Sequence, residues 1–165
     1  MFKSTQVPQW KVILTVAFFL TLVANMAFFK HVIDIYPLSW STLPFITSLA
    51  VLSLSVSVIL LTLLSWGHAT KPFLIIILLV SSFVAYFMDT YDVVIDTHMI
   101  ENVLQTNLNE SADLFSATLI LYVVLIGVIP SILIYRVLFQ DNGIKAVLIE
   151  KVKLLGVALG IALVV

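Results

Sequence analysis

Long apolar runs separated by short polar stretches set the plan of this chain. Residues 12–29 are almost wholly apolar, and so are 44–66, 72–88, 117–139 and 154–165. An α-helix rises about 1.5 Å per residue, so about 20 apolar residues cross a hydrocarbon core of about 30 Å. The pattern predicts helices over about 11–30, 44–66, 72–88 and 117–139. The third is at the short end for a span. A fifth run begins at Leu154 and is still apolar at Val165, which reaches only about 18 Å. A fifth helix over about 148–165 is therefore expected to be cut short, with residues 1–165 forming the transmembrane domain of a longer protein.

Punctuation inside the runs refines this picture. The first run exceeds the usual apolar core of a signal peptide and no A-x-A site follows, so it reads as an uncleaved helix. Asn25 within it predicts an interhelical hydrogen bond. Lys30–Leu43 reads as a connection whose Tyr36 and Trp40 suit the membrane–water boundary. Pro44 can open the second helix, because a proline in the first turn loses no bond. Ser53, Ser55 and Ser57 can bond back to the preceding turn and require no site. Pro130 should kink the fourth helix. Gln140–Lys153 reads as a polar connection with a turn at Asp141-Asn142-Gly143. Gly156 and Gly160 have the spacing of a close helix contact, though small residues are common in membrane helices.

One long polar stretch interrupts the apolar runs. From Asp89 to Asp113 the chain carries six acids (Asp89, Asp92, Asp96, Glu101, Glu110 and Asp113) and no Lys or Arg. Asp96 is a good N-cap for a helix over about 97–111. At about 100° per residue, Ile100, Val103, Leu104 and Leu108 fall on one face and Glu101, Asn102, Gln105, Thr106 and Asn109 on the other. Such a helix can lie flat in the interface. Asn102, Thr106 and Glu110 stand at i, i+4 and i+8 and form a row. A carboxylate suits an ammonium group, while an amide and a hydroxyl suit phosphate oxygens. The row thus fits an ethanolamine phosphate headgroup; on spacing alone, an ordinary solvated helix face is the simpler reading. Asn109-Glu110-Ser111 also fits a glycosylation sequon, a pattern common by chance.

Composition agrees with a membrane protein. The chain is 62% hydrophobic and only 10% charged, against about a quarter charged in soluble domains. A net charge of −1 without a basic stripe excludes a nucleic-acid partner. There is no Cys, hence no disulfide framework and no thiolate metal site. His31, His68 and His98 lie in three separate connections and match no spaced ligand motif, so no metal site is assigned.

With five spans, Lys3, Lys11, Lys71, Arg136, Lys145, Lys151 and Lys153 share one side and Lys30 alone lies on the other. The positive-inside rule places the seven in the cytoplasm. The N-terminus is then cytoplasmic, while the acidic segment and the C-terminus are outside.

Asp89-Thr90-Tyr91, Asp96, Met99 and Asn102-x-x-Gln105-Thr106-x-x-x-Glu110 resemble the first periplasmic-side helical region of the lipid A phosphoethanolamine transferases, above all the mobile colistin-resistance branch. Val23-Ala24-Asn25, Phe28-Phe29, Tyr36-Pro37, Lys71-Pro72 and Gly127-Val128-Ile129-Pro130-Ser131 follow that family's membrane domain in order, so the likeness covers essentially the whole chain. It implies a bacterial inner-membrane protein with five transmembrane helices, an extra amphipathic interfacial helix on the periplasmic side, and a separate zinc-dependent periplasmic catalytic domain. It also implies transfer of phosphoethanolamine from phosphatidylethanolamine, through a phosphorylated threonine, to lipid A, which confers polymyxin resistance. Asn102, Thr106 and Glu110 would then bind the donor headgroup. The nucleophilic threonine and the zinc ligands would lie in the catalytic domain, leaving these residues without a catalytic group, cofactor or activity of their own. Asp92 stands where relatives often carry a small or uncharged residue and Ile95 where an aromatic is common, so the finer pocket shape is not carried over.

Two other classes compete. A small transporter or channel subunit would place ionisable groups near the middle of its spans, whereas the acids here are expected to flank them. A membrane scaffold without a ligand would be indifferent to Glu110→Gln.

Overall fold

The computed structural model describes residues 6–91, 116–140 and 143–165. Among these every regular element is helical, apart from one isolated parallel bridge between Val7 and Phe139. The predicted interfacial helix over 97–111 lies outside the described residues.

The first apolar run is a bent pair rather than one helix over 11–30. Helix α1, Gln9–Phe19, runs into a π-helical turn, Leu20–Ala24, and α2, Met26–Ile35, leaves at 52°. The break is at Asn25, whose φ of −108° and ψ of 24° are not helical. Its Nδ2 donates to the Leu20 carbonyl at 2.9 Å. The expected bond to another helix is thus replaced by one to its own segment. A side chain inserted into the backbone ladder is a standard cause of a sharp kink. Lys30, His31 and Asp34, placed in a connection by their polarity, belong to α2.

The connection is then only residues 36–42. It is tied by Thr42 Oγ1 donating to the Pro37 carbonyl at 2.7 Å, and by the Tyr36 ring tilted against that of Phe45 at 5.0 Å. Helix α3, Leu43–Leu64, starts one residue before Pro44, whose missing N–H falls in the unbonded first turn. Thr62 bonds back to the Val58 carbonyl at 2.6 Å, the local satisfaction expected of a hydroxyl in such a helix. A 3₁₀ turn, Gly67–Ala69, reverses the chain, with Gly67 at φ 48°.

Helix α4, Thr70–Tyr91, is 22 residues long, or about 33 Å. It exceeds the apolar run 72–88 at both ends, because helical hydrogen bonding continues through polar residues once a helix has begun. Asp89 therefore lies inside its last turn and does not flank it.

Helix α5, Ala117–Tyr122, a π-helical turn, Val123–Val128, and helix α6, Ile129–Arg136, follow one another without a break. The Ile129 N–H reaches back five residues to the Val124 carbonyl. Pro130 has no N–H for the normal four-residue bond, and the wider π turn ahead of it takes up the mismatch. A π-helical turn thus stands where the kink is expected, and Ala117–Arg136 runs through it as one span-length helix.

Helix α7, Gly143–Val164, starts at a positive-φ glycine, 68°. Lys145, Glu150, Lys151 and Lys153 are thus helical, not part of a connection. The inward residues of α7 are Lys151, Leu154, Leu155, Ala158 and Ala162, a helical stripe against α3. Gly156 and Gly160 face away: a β-carbon at either would meet open space. The close contact their spacing suggests is absent, since they lie off that stripe.

Among the described residues three helices are long and apolar enough to cross a membrane, and four if the bent pair is one span. The buried core joins Ile13, Val16 and Ala17 of α1 to Val58 and Leu61 of α3 and to Leu74 and Leu78 of α4.

Candidate functional site

The two ends of the bundle are built differently. At one end three segments meet. The Val7 N–H donates to the Leu138 carbonyl at 2.9 Å, and the Gln140 N–H to the Val7 carbonyl at 3.2 Å. Gln9 Nε2 donates to Thr70 Oγ1. Lys71 Nζ donates to the Tyr135 carbonyl at 3.2 Å and lies 5.3 Å from the Phe139 ring. The start of α1, the start of α4 and the α6–α7 connection therefore share this end, as the order of the apolar runs predicts.

At the other end α4 stops and α5 begins, and between them runs the acidic segment. Both its roots are fastened. Tyr122 donates from its hydroxyl to Asp89 Oδ2 at 2.9 Å, linking the last turn of α4 to the last residue of α5. The Tyr86 hydroxyl and Ser116 Oγ share a hydrogen bond of 2.9 Å. Ser116 also caps α5, its Oγ accepting the Leu119 N–H at 3.1 Å, as an N-cap hydroxyl does. The Tyr86 and Tyr122 rings meet edge to face at 5.7 Å. Tyr86 is buried and Ser116 half-buried.

Chemically this is a polar girdle at the end of two apolar rods. The Tyr86 and Tyr122 hydroxyls each hydrogen-bond across the α4–α5 gap, so the two helix ends are tied to one another. Asn102, Thr106 and Glu110 fall outside the described residues. The girdle joins the described residues on either side of their segment in the sequence, Tyr86 and Asp89 before it and Ser116 and Tyr122 after it. Tyr86, Ser116 and Tyr122 were missed by sequence reasoning. The available signal was a tyrosine near each border of the polar segment, Tyr86 before it and Tyr122 after it, since tyrosine concentrates where one end of a side chain is apolar and the other wet. Among the described residues no group of three or more His, Cys, Asp or Glu is placed to hold a metal ion.

The family model described as phosphoethanolamine transferase EptA/EptB matches residues 53–165. Phosphatidylethanolamine transferase Mcr-2 of Escherichia coli is 39% identical over 119 residues, which is 72% of this chain and 22% of that protein. Phosphoethanolamine transferase EptA of Escherichia coli K12 is 34% identical over 122 residues, 73% of this chain and 22% of that one. The solved structure of lipooligosaccharide phosphoethanolamine transferase A from Neisseria meningitidis, an integral membrane protein, superposes with a TM-score of 0.87 at 25% identity, covering 97% of this chain and 31% of that one. The chain spans about a fifth of the length of the curated relatives it matches. A bundle of membrane-length helices, matched in sequence over most of its length and in fold over nearly all of it, belongs to the phosphoethanolamine transferase EptA/EptB family.

Proposed function

We propose that this chain is the membrane domain of a transferase that moves phosphoethanolamine from phosphatidylethanolamine to lipid A in the bacterial inner membrane. The observation that carries this reading is the match to transferases of that name, along a chain in which the helix ends flanking the acidic segment are tied by hydrogen bonds. Five spans are counted by adding α7 to the bent pair, α3, α4 and the α5–α6 rod. Its last turns are free of charge from Leu154 onward and it packs along α3. The basic end, with Lys11, Lys71, Arg136 and Lys151, faces the cytoplasm, which puts the girdle and the amphipathic helix over 97–111 on the periplasmic side.

In this reading Asn102 and Thr106 hold the phosphate of the donor headgroup and Glu110 its ammonium. The nucleophile and its zinc belong to a periplasmic catalytic domain outside these residues, which is also the domain's own partner. The 165 residues alone then anchor the enzyme and present lipid, without transferring it. Mass spectrometry of lipid A from cells expressing the full-length protein tests the assignment. Asn102→Ala, Thr106→Ala and Glu110→Gln should each reduce modified lipid A while membrane insertion is unchanged. Wild-type modification in all three removes the row from the mechanism.

A further inference from the structure

At the basic end a cavity of about 620 Å³ opens between the α1 start, the α3–α4 turn and the first turns of α7. Its walls include Gln9, Trp66, Phe139, Ile144, Leu148 and Lys151. Lys151 is only 7% exposed. Its ammonium sits 5.0 Å from the Trp66 ring, and among the described residues no carboxylate is paired with it. Of the acids in this stretch, Glu150 precedes Lys151 on the helix and so points about 100° away from it, and Asp141 lies outside the described residues.

A buried ammonium is costly unless an opposite charge meets it. The Trp66 ring satisfies one side of Lys151 by a cation–π contact; the other side borders the cavity. Beyond Lys151 the wall is apolar, through Phe139, Ile144 and Leu148. Ile144 is 85% exposed and Val152 on the same helix 62%, so this apolar surface continues outward along α7. An anion with a hydrocarbon chain matches that order of surfaces: phosphate inward against Lys151, acyl chain along the outside of α7. Lys71 and Arg136 at the same end add to the attraction.

We propose that this cavity binds the phosphate headgroup of an anionic glycerophospholipid. This is a site separate from the donor-lipid row, on the opposite end of the bundle. That the lipid comes from the cytoplasmic leaflet rests on the orientation proposed above; the binding itself does not.

Native mass spectrometry of the full-length protein from nanodiscs of phosphatidylethanolamine and phosphatidylglycerol tests it. The wild-type protein should retain phosphatidylglycerol, and Lys151→Gln should lose at least about fivefold of it, whereas Lys151→Arg should keep it. Ile144→Glu, at an exposed position that leaves the buried contacts intact, should also expel it by placing a like charge at the mouth. Equal retention by wild type, Lys151→Gln and Ile144→Glu overturns the site. Displacement of the lipid by millimolar inorganic phosphate, on the order of 10 mM, overturns it in favour of a free anion. The leaflet is read separately, from Ile144→Cys in intact spheroplasts. Protection from a membrane-impermeant maleimide supports the cytoplasmic side, and labelling overturns the orientation while leaving the nanodisc result to stand on its own.

Discussion

Ser82 and Gly127 touch where α4 meets the π turn before α6: a β-carbon at residue 127 would lie 2.8 Å from Ser82 Oγ and 3.1 Å from Leu79 Cδ2. Ser82 is fully buried, and its hydroxyl donates to the Leu79 carbonyl at 2.6 Å. The side chain is short and already committed, so it has little room to retreat. Gly127→Ala should therefore destabilise the bundle by about 1–3 kcal/mol, the usual cost of overpacking. Thermal unfolding in detergent would show this as a lower midpoint, partly restored by adding Ser82→Ala.

The Tyr122–Asp89 bond predicts an energetic coupling between the ends of α4 and α5. Tyr122→Phe and Asp89→Ala should each cost about 1 kcal/mol, and the double mutant should cost less than their sum, since either change alone removes the bond. Additive losses in a double-mutant cycle would mean that the hydroxyl contributes nothing to holding the girdle.

The bend at Asn25 should depend on its side chain. Asn25→Leu leaves the Leu20 carbonyl without its amide donor and lets the backbone ladder close over it. Spin labels at the exposed positions 18 and 35 should then move apart by about 2–3 Å as the 52° bend relaxes toward a straight rise of about 1.5 Å per residue. An unchanged distance distribution would place the cause in the surrounding packing.

Gly156→Ala and Gly160→Ala should be tolerated. Both positions face open space, and alanine is favoured over glycine in a helix interior by about 1 kcal/mol. The unfolding midpoint should hold or rise for each variant; a fall would reveal a contact on that face.

How much of this could be read from the sequence follows from the range of each interaction. Membrane-length helices were legible because run length and hydropathy need no tertiary context. Their ends were not: Thr70, Asp89 and Lys145 look like boundary residues but continue helices, since backbone bonding does not stop where apolarity does. Asn25 was correctly singled out but given a distant partner, because composition cannot tell a side chain bonding its own turn from one bonding a neighbour. Pro130 was legible as a perturbation; the π turn ahead of it was not, because a missing backbone donor can be accommodated by a kink as well as by a widened turn. The girdle residues Tyr86, Ser116 and Tyr122 meet only after folding, and the pairing of Val7 with 138–140 carries no local pattern at all. The row Asn102, Thr106 and Glu110 rests on its spacing and on the family likeness.

Val7 bonds to the backbone on both sides of Phe139, a partner more than a hundred positions later in the chain. Residue 7 is synthesised well before residue 138, and its peptide groups cannot find this partner until the helices between them have been made. That small pairing therefore closes only after α6 has been made, and a ribosome stalled before residue 138 would hold a chain in which Val7 has yet to meet it.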